Sequence, residues 1–238
     1  MKKVSIIVVA ALGLMLAGFA EAAKPKKRTR NQNRVGAYGG LLVGNAKYSV
    51  DAAEEEADLV DFFQGSGAPT RNLSTSTEDS DIGYTAAFGY RFNRYVAAEL
   101  GLAQYGETSS VVRGEIEQDP VVGFVPANVK ISFAVGGPLF SVVGILPLGD
   151  KFELYGRAGL LFASAERELS ARVDGQNAGV GSAKGDSTEV VFGAGLTWHI
   201  NQIYSVRLEQ QRLTEVGQED RSGTEDVDYT ALGFIVRF

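Results

Sequence analysis

The sequence predicts an all-β protein, an eight-stranded antiparallel up-and-down transmembrane β-barrel. Three observations predict it. Eight segments are rich in β-branched, aromatic and glycine residues, tight turns and long polar stretches alternate between them, and the chain opens on an export signal. An even number of strands, with short turns at one end and long loops at the other, is the pattern of bacterial outer-membrane barrels.

The first 34 residues are predicted to lie outside the barrel. Residues 1–22 combine a basic start, the apolar run "VSIIVVAALGLMLAGFA" and the A-x-A site Ala20-Glu21-Ala22, which indicates a cleaved signal peptide. An uncleaved anchor is the alternative, because the run approaches the length of a spanning helix. Residues 23–34 carry six cations and no acid. They predict a disordered periplasmic arm, whose charge would attract it to anionic phosphates or wall polymers.

The barrel itself is predicted over residues 35–238. Each strand segment has the composition of a pleated, half-buried surface, and long helical patterns are absent from the sequence. The eight candidate strands are Val35–Tyr48, Ile82–Phe92, Tyr95–Gly106, Val129–Leu146, Phe152–Glu166, Glu189–Ile200, Ile203–Thr214 and Val227–Phe238.

The connections between these strands differ in length in a regular way. Three are tight turns suited to hairpins, at Asn93-Arg94, Pro147–Asp150 and Asn201-Gln202. Four are long and polar, at residues 49–81, 107–128, 167–188 and 215–226. This alternation places every tight turn at the periplasmic end and predicts four long extracellular loops at the other.

Apolar and small or polar residues alternate along the strands. Leu100 and Leu102 alternate with Glu99 and Gly101, for example. A soluble barrel of the lipocalin type would alternate as well, with its apolar face inward. Charges mixed with glycine and alanine on one face favour the narrow lumen of a membrane barrel instead. Aromatic residues near strand ends predict interfacial girdles, namely Tyr84, Tyr90, Phe92, Tyr95, Phe152, Trp198 and Tyr204.

The last strand, in "DYTALGFIVRF", alternates up to Phe238. In lipid an unpaired strand edge would leave backbone groups without hydrogen bonds. This strand is therefore expected to close the barrel against the first one.

Four stretches carry a family resemblance: "GYRFNRYVAAELGL", "LPLGDKFELYGRAGLLF", "GAGLTWHINQIYSVRLEQQ" and "YTALGFIVRF". With them the chain resembles the transmembrane domain of outer membrane protein A and its relatives, from about Val35 onward. The resemblance implies that Phe238 is an assembly signal read by the barrel-assembly machinery. The chain is expected to depart from full-length family members in lacking their peptidoglycan-binding domain and the tether to the cell wall that it provides.

The resemblance further implies a charge cluster that interrupts the water path inside the barrel. The matching inward positions are Glu99, Arg157, Arg207 and Glu209. The family's gating lysine aligns with Val143, and its second gating glutamate with Thr197. A salt bridge that switches partners is therefore not reproduced, although Glu99 and Arg207 are expected to pair.

Composition and spacing argue against several function classes. The chain has no cysteine, one histidine and a net charge of -6, which argues against thiol chemistry, multi-histidine metal sites and nucleic-acid binding. Acyl-transfer catalysis needs a nucleophile, a base and an orienting acid. The sole histidine, His199, is predicted at the periplasmic end, away from the outer leaflet, so the sequence predicts no enzyme, no cofactor and no metal.

The sequence favours a non-enzymatic envelope protein that stabilises the outer membrane and presents surface loops. A narrow channel for ions or small solutes and an adhesin acting through its loops remain alternatives. The expected partners are membrane lipid, lipopolysaccharide, the barrel-assembly machinery and a host or cell-surface ligand, and the expected oligomeric state is a monomer. The first two loops combine acids with apolar residues, such as Glu54 with Phe62 and Glu115 with Phe124. Such mixtures are compatible with solvated faces, with packed hairpins or with adhesion.

Overall fold

The computed structural model describes residues 34–49, 69–119, 123–218 and 223–238. Of the predicted leader and basic arm, only Arg34 belongs to these ranges. Most of the first predicted loop, including Glu54 and Phe62, lies outside them. The described ranges contain no helix long and apolar enough to cross a membrane. They form nine strands: β1 Gly36–Tyr48, β2 Thr70–Glu78, β3 Ser80–Arg91, β4 Val96–Asp119, β5 Gly123–Leu148, β6 Phe152–Val173, β7 Gln176–His199, β8 Tyr204–Gln218 and β9 Gly223–Arg237.

The strands close into a ring. Every pairing is antiparallel, and β1 pairs with β3 on one side and with β9 on the other, so the last strand meets the first as expected. β2 and β3 follow one another along the same neighbour, β4, and act as one long strand interrupted at Asp79. The ring therefore has eight strands, and the predicted up-and-down barrel is confirmed.

The two faces of the barrel differ as the alternation predicted. On β4, Glu99 is 2% exposed while its neighbour Leu100 is 62% exposed. Phe192 on β7 and Leu232 on β9 are each 60% exposed. A continuous belt of such side chains on the outside is the lipid-facing surface of a membrane barrel, which a lipocalin-like barrel would not show.

Six of the seven predicted aromatic residues gather at the end of the barrel that carries the short turns, called here the short-turn end. Tyr84 is half-buried and pairs with Gln104, so it lies toward the opposite end of β3. The other six project outward with exposures between 42% and 56%: Tyr90, Phe92, Tyr95, Phe152, Trp198 and Tyr204. Amphipathic rings in this position match the girdle at a membrane interface.

All three short connections lie where the sequence predicted turns, and two of them share one mechanism. The side-chain oxygen of Asn93 accepts hydrogen bonds from the backbone N–H groups of Tyr95 and Val96, at 2.7 and 3.0 Å. Asn201 does the same for Ile203 and Tyr204, at 2.8 and 2.7 Å. An asparagine that bonds the backbone two residues on stabilises a tight turn, which explains the two Asn positions.

At the opposite end the predicted strand limits are wrong. β4, β5, β6 and β7 have 24, 26, 22 and 24 residues. A membrane needs only about 9–11 per strand. Most of the polar stretches 107–128 and 167–188 therefore continue the barrel strands as paired hairpins. Polarity suggested loops there, but antiparallel pairing satisfies the backbone equally well in water.

A two-residue turn closes the β6–β7 hairpin. Val173 pairs with Gln176, so Asp174 and Gly175 alone connect β6 to β7. Both have positive φ, 49° and 74°. Asp-Gly in this conformation strongly favours a hairpin, although this turn was not predicted from the sequence.

An apolar cluster packs between the extended strands, beyond the part that spans the membrane. Its buried members are Val112, Ala127, Val129 and Ile131, and Leu73, Ile116, Leu169, Ala171 and Val173 pack against them.

Candidate functional site: two charged clusters in the lumen

The structure brings the four predicted lumen charges together. Glu99 comes from β4, Arg157 from β6, and Arg207 and Glu209 from β8. Each occupies an inward position of its strand and is at most 6% exposed. We call these four residues the quartet.

Acids and bases of the quartet are arranged so that each charge contacts opposite charges. Arg157 hydrogen-bonds Glu99, and its Nη1 lies 3.1 Å from Oε1 of Glu209. Nη1 of Arg207 lies 2.8 Å from Oε1 of Glu99 and 3.9 Å from Oε2 of Glu209. The quartet is electrically neutral, which is the condition under which charges can be buried at acceptable cost.

Neutral side chains satisfy the remaining carboxylate oxygens. The Tyr38 hydroxyl donates to Oε1 of Glu99 at 2.6 Å, and the Tyr155 hydroxyl donates to Glu209. Gln211 donates to Glu209 at 2.5 Å and accepts from the Tyr105 hydroxyl at 2.9 Å. These partners were not predicted from the sequence. Each of them occupies an inward position of its strand and ends in a hydroxyl or amide group, which is the pattern that could have identified them.

Glycine makes room for one of these phenol rings. A Cβ atom placed on Gly89 would lie 2.3 to 2.7 Å from three atoms of the Tyr38 ring and hydroxyl. Glycine at this position is therefore required by close approach rather than by backbone conformation.

Gly89→Ala is expected to destabilise the barrel by about 1–3 kcal/mol, because the methyl group displaces Tyr38 from Glu99. A double-mutant cycle of urea unfolding in lipid vesicles measures it. In a Tyr38→Ala background the same change should cost much less. Equal costs in both backgrounds would contradict this steric account.

The two positions aligned with the family's gating residues contribute no charge. Val143 is fully buried and Thr197 is 6% exposed, and both line the space below the quartet, toward the short-turn end. Neither can act as an alternative partner for Glu99 or Arg207.

A second charged cluster lies at the short-turn end of the lumen, and the sequence analysis did not predict it. Its centre is the Glu153 carboxylate, which Arg91 contacts through both oxygens at 3.0 and 2.9 Å. Arg34 reaches the same carboxylate at 2.9 Å, and His199 Nε2 lies 3.1 Å from it. Arg91 also donates to the backbone carbonyls of Asn93 and Arg94, so it ties the cluster to the first tight turn.

His199 has the neighbours of a hydrolase base but not the surroundings. Its Nδ1 lies 2.7 Å from the Ser205 hydroxyl and its Nε2 contacts Glu153, a serine–histidine–carboxylate chain. The serine is 1% exposed. The adjoining cavity measures about 20 Å³, room for about one water molecule, so the arrangement has no space for an acyl substrate. The described residues also contain no group of three or more potential metal ligands.

The cavity beside His199, called here the lower chamber, lies between the two clusters. Its polar lining consists of Arg91, Arg207, Arg237, Glu153, His199 and Ser205. Val143, Ile145 and Ile235 supply apolar walls. Its polar lining and small volume set it apart from the drug-sized pockets of ligand-binding barrels.

Phe238 lies at the seam between the first and last strands. Its backbone N–H donates to the Ala37 carbonyl at 3.0 Å. The residue therefore contributes to barrel closure, and its role as an assembly signal stays a prediction.

Comparison with known proteins identifies the family. A family model for the OmpA-like transmembrane domain matches residues 31–238. Outer membrane protein A of Escherichia fergusonii is 26% identical over 243 aligned positions that cover 100% of this chain and 56% of the relative. That of Klebsiella pneumoniae is 25% identical over 178 positions, covering 74% and 44%. The chain thus spans about half the length of the curated relatives it matches.

Solved structures of small outer-membrane proteins are also similar. OprG of Pseudomonas aeruginosa shares 15% identity, with a TM-score of 0.43 and coverage of 89% of this chain and 99% of OprG. The attachment invasion locus protein Ail of Yersinia pestis, solved with a heparin analogue, shares 15% identity, with a TM-score of 0.38 and coverage of 85% and 99%. The family match, the closed ring and the apolar outer belt agree. This chain belongs to the OmpA-like transmembrane domain family and is an outer-membrane β-barrel of the Gram-negative type.

Proposed function

We propose that this protein is a non-enzymatic envelope protein whose barrel is closed by the quartet and whose extended hairpins face the surroundings. The burial and mutual pairing of Glu99, Arg157, Arg207 and Glu209 carry the proposal. Side chains that fill the cross-section of an eight-stranded barrel leave no continuous water path. The quartet then acts as a polar core that holds strands β4, β6 and β8 together.

Its partners follow from its surfaces. The apolar belt and the aromatic girdle would contact membrane lipid and lipopolysaccharide, and the barrel-assembly machinery would insert the chain. The closed ring leaves no open strand edge within the membrane, so the barrel would act as a monomer.

Single-channel recording in a planar bilayer tests the closure. The unmodified protein is expected to give no reproducible conductance steps. Glu99→Ala and Arg207→Ala each remove part of the quartet and are expected to open small, frequent steps, because the remaining charge attracts water. Glu115→Ala is the matched control, since it breaks an Arg71–Glu115 pair on the extended hairpins, outside the lumen.

Steps from the unmodified protein that change with Arg207→Ala would overturn closure and favour the narrow channel. If none of the three variants conducts, the quartet would stabilise the barrel by packing but would not be what blocks the lumen. Folding is confirmed beforehand by the mobility difference between unheated and boiled samples on a gel.

Surface recognition is a second candidate, because four strands run far beyond the length a membrane requires. The β6–β7 hairpin ends in a fully exposed tip, where Val180 is 78% exposed. Binding residues concentrate on exposed elements held by a rigid scaffold. Joining Glu166 to Lys184 through an Asp-Gly turn removes this tip while keeping their pairing in register. Loss of bacterial adhesion to cultured cells, with the barrel still folded, would support an adhesin, and unchanged adhesion would exclude this hairpin.

A further inference from the structure

We propose that the lower chamber binds one monatomic anion, chloride under ordinary conditions. This goes beyond the proposed function, because it concerns the space below the quartet and holds whether or not the barrel conducts. The inference depends on three properties of the chamber: its charge, its unpartnered donors and its size.

The charge at this end of the lumen is positive. Arg34 and Arg91 both pair with Glu153, so one carboxylate serves two guanidinium groups. Arg237 lies within electrostatic reach of Arg34, Arg91 and Glu153, yet it is in no ion pair with any described residue. Arg207 also lines the chamber, but its charge is compensated by Glu99 in the quartet. The described residues around the chamber thus hold more cations than carboxylates, and an anion would correct the imbalance.

Two guanidinium donors at the chamber have no acceptor within the described chain. These are the Nε–H groups of Arg207 and Arg237, both buried. Arg207 is 6% exposed, and its Nη1 is already engaged with Glu99. Arg237 donates only a long bond of 3.3 Å, from Nη1 to the Gln202 carbonyl. Buried donors are nearly always hydrogen-bonded, and an anion that accepts from both would satisfy them.

Size and surroundings select the class of anion. A volume of about 20 Å³ suits one water molecule or one monatomic ion better than the larger phosphate, sulfate and carboxylate ligands. The apolar walls lower the local dielectric and strengthen attraction between the guanidinium groups and an anion. Water would fill the same space but would leave the excess positive charge uncompensated. A halide meets all three conditions.

Crystals of the folded protein grown or soaked in bromide test the site directly. Anomalous scattering is expected to place one bromide in the lower chamber, within hydrogen-bond distance of Arg207 or Arg237. Bromide found only on the surface, with water-like density in the chamber, would overturn the proposal.

Unfolding in lipid vesicles gives a test in solution. At constant ionic strength and saturating halide, each tenfold rise in chloride should raise the folded-to-unfolded ratio about tenfold, since the ion binds only the folded state. Gluconate is too large for the chamber and should have no such effect.

Arg237→Gln is expected to abolish the difference between chloride and gluconate. Arg212→Gln is the matched control, because it removes the same charge from an exposed pair with Asp226 and should keep the difference. Equal responses of these two variants would overturn the proposal. Should Arg237→Gln fail to fold, bromide in the unmodified protein decides the question.

Discussion

Replacing Arg157 by methionine is expected to destabilise the barrel by about 3–5 kcal/mol, the largest single effect that the structure predicts. Arg157 contacts both carboxylates of the quartet. Its loss leaves Arg207, at 3.9 Å, as the one cation in contact with Glu209 among the residues that the structure describes. Methionine keeps much of the side-chain volume, so the effect reports charge rather than a cavity.

Urea unfolding in phospholipid vesicles measures this change, with Arg212→Met as the control. Arg212 is the same residue type in an ion pair, but its side chain is 58% exposed, and exposed pairs contribute about 0–1 kcal/mol. Adding Glu209→Gln to Arg157→Met should recover part of the loss, because Glu99 and Arg207 then remain as a neutral pair. If Arg157→Met and Arg212→Met were equally stable, the quartet would not hold the lumen together.

Replacing Leu100 by arginine is expected to cost about 2–4 kcal/mol, because the side chain faces lipid at the depth of the quartet. Leu100 adjoins Glu99 on β4 and points the opposite way, with 62% of its surface exposed. If Leu100 faced water instead of lipid, the same substitution would be nearly neutral. The measured change in the free energy of unfolding therefore distinguishes a lipid-facing surface from a solvated one.

Val180→Arg provides the comparison. Val180 is 78% exposed at the tip of the β6–β7 hairpin, and surface substitutions of this kind change stability by about 0.5 kcal/mol or less. Both variants are refolded into vesicles and unfolded in urea. Similar costs for the two would mean that Leu100 does not contact the hydrocarbon core.

Much of the barrel was predictable because strand geometry is local. A side chain in a strand points opposite to its neighbours, so alternation set Glu99, Arg157, Arg207 and Glu209 on the face that also carries glycine and alanine. The family resemblance identified that face as the inward one. The turns at Asn93 and Asn201 were predictable for the same reason, since asparagine bonds its own backbone two residues on. The strand limits beyond residues 106 and 166 were not. Polar composition describes solvent exposure, and exposed hairpins and exposed loops share it.

Partner choice inside the barrel was decided by the tertiary structure. Glu99 and Arg157 lie on β4 and β6, which are not adjacent in the ring, so they meet only because the sheet closes into a narrow lumen. Arg91 on β3 meets Glu153 on β6 for the same reason, and His199 reaches Glu153 from the adjacent strand β7. No spacing along the chain announces this cluster. Local periodicity thus determined which side chains face inward. Closure and the register between strands determined the level at which each one lies, and therefore which charges pair and where the chamber is left between them.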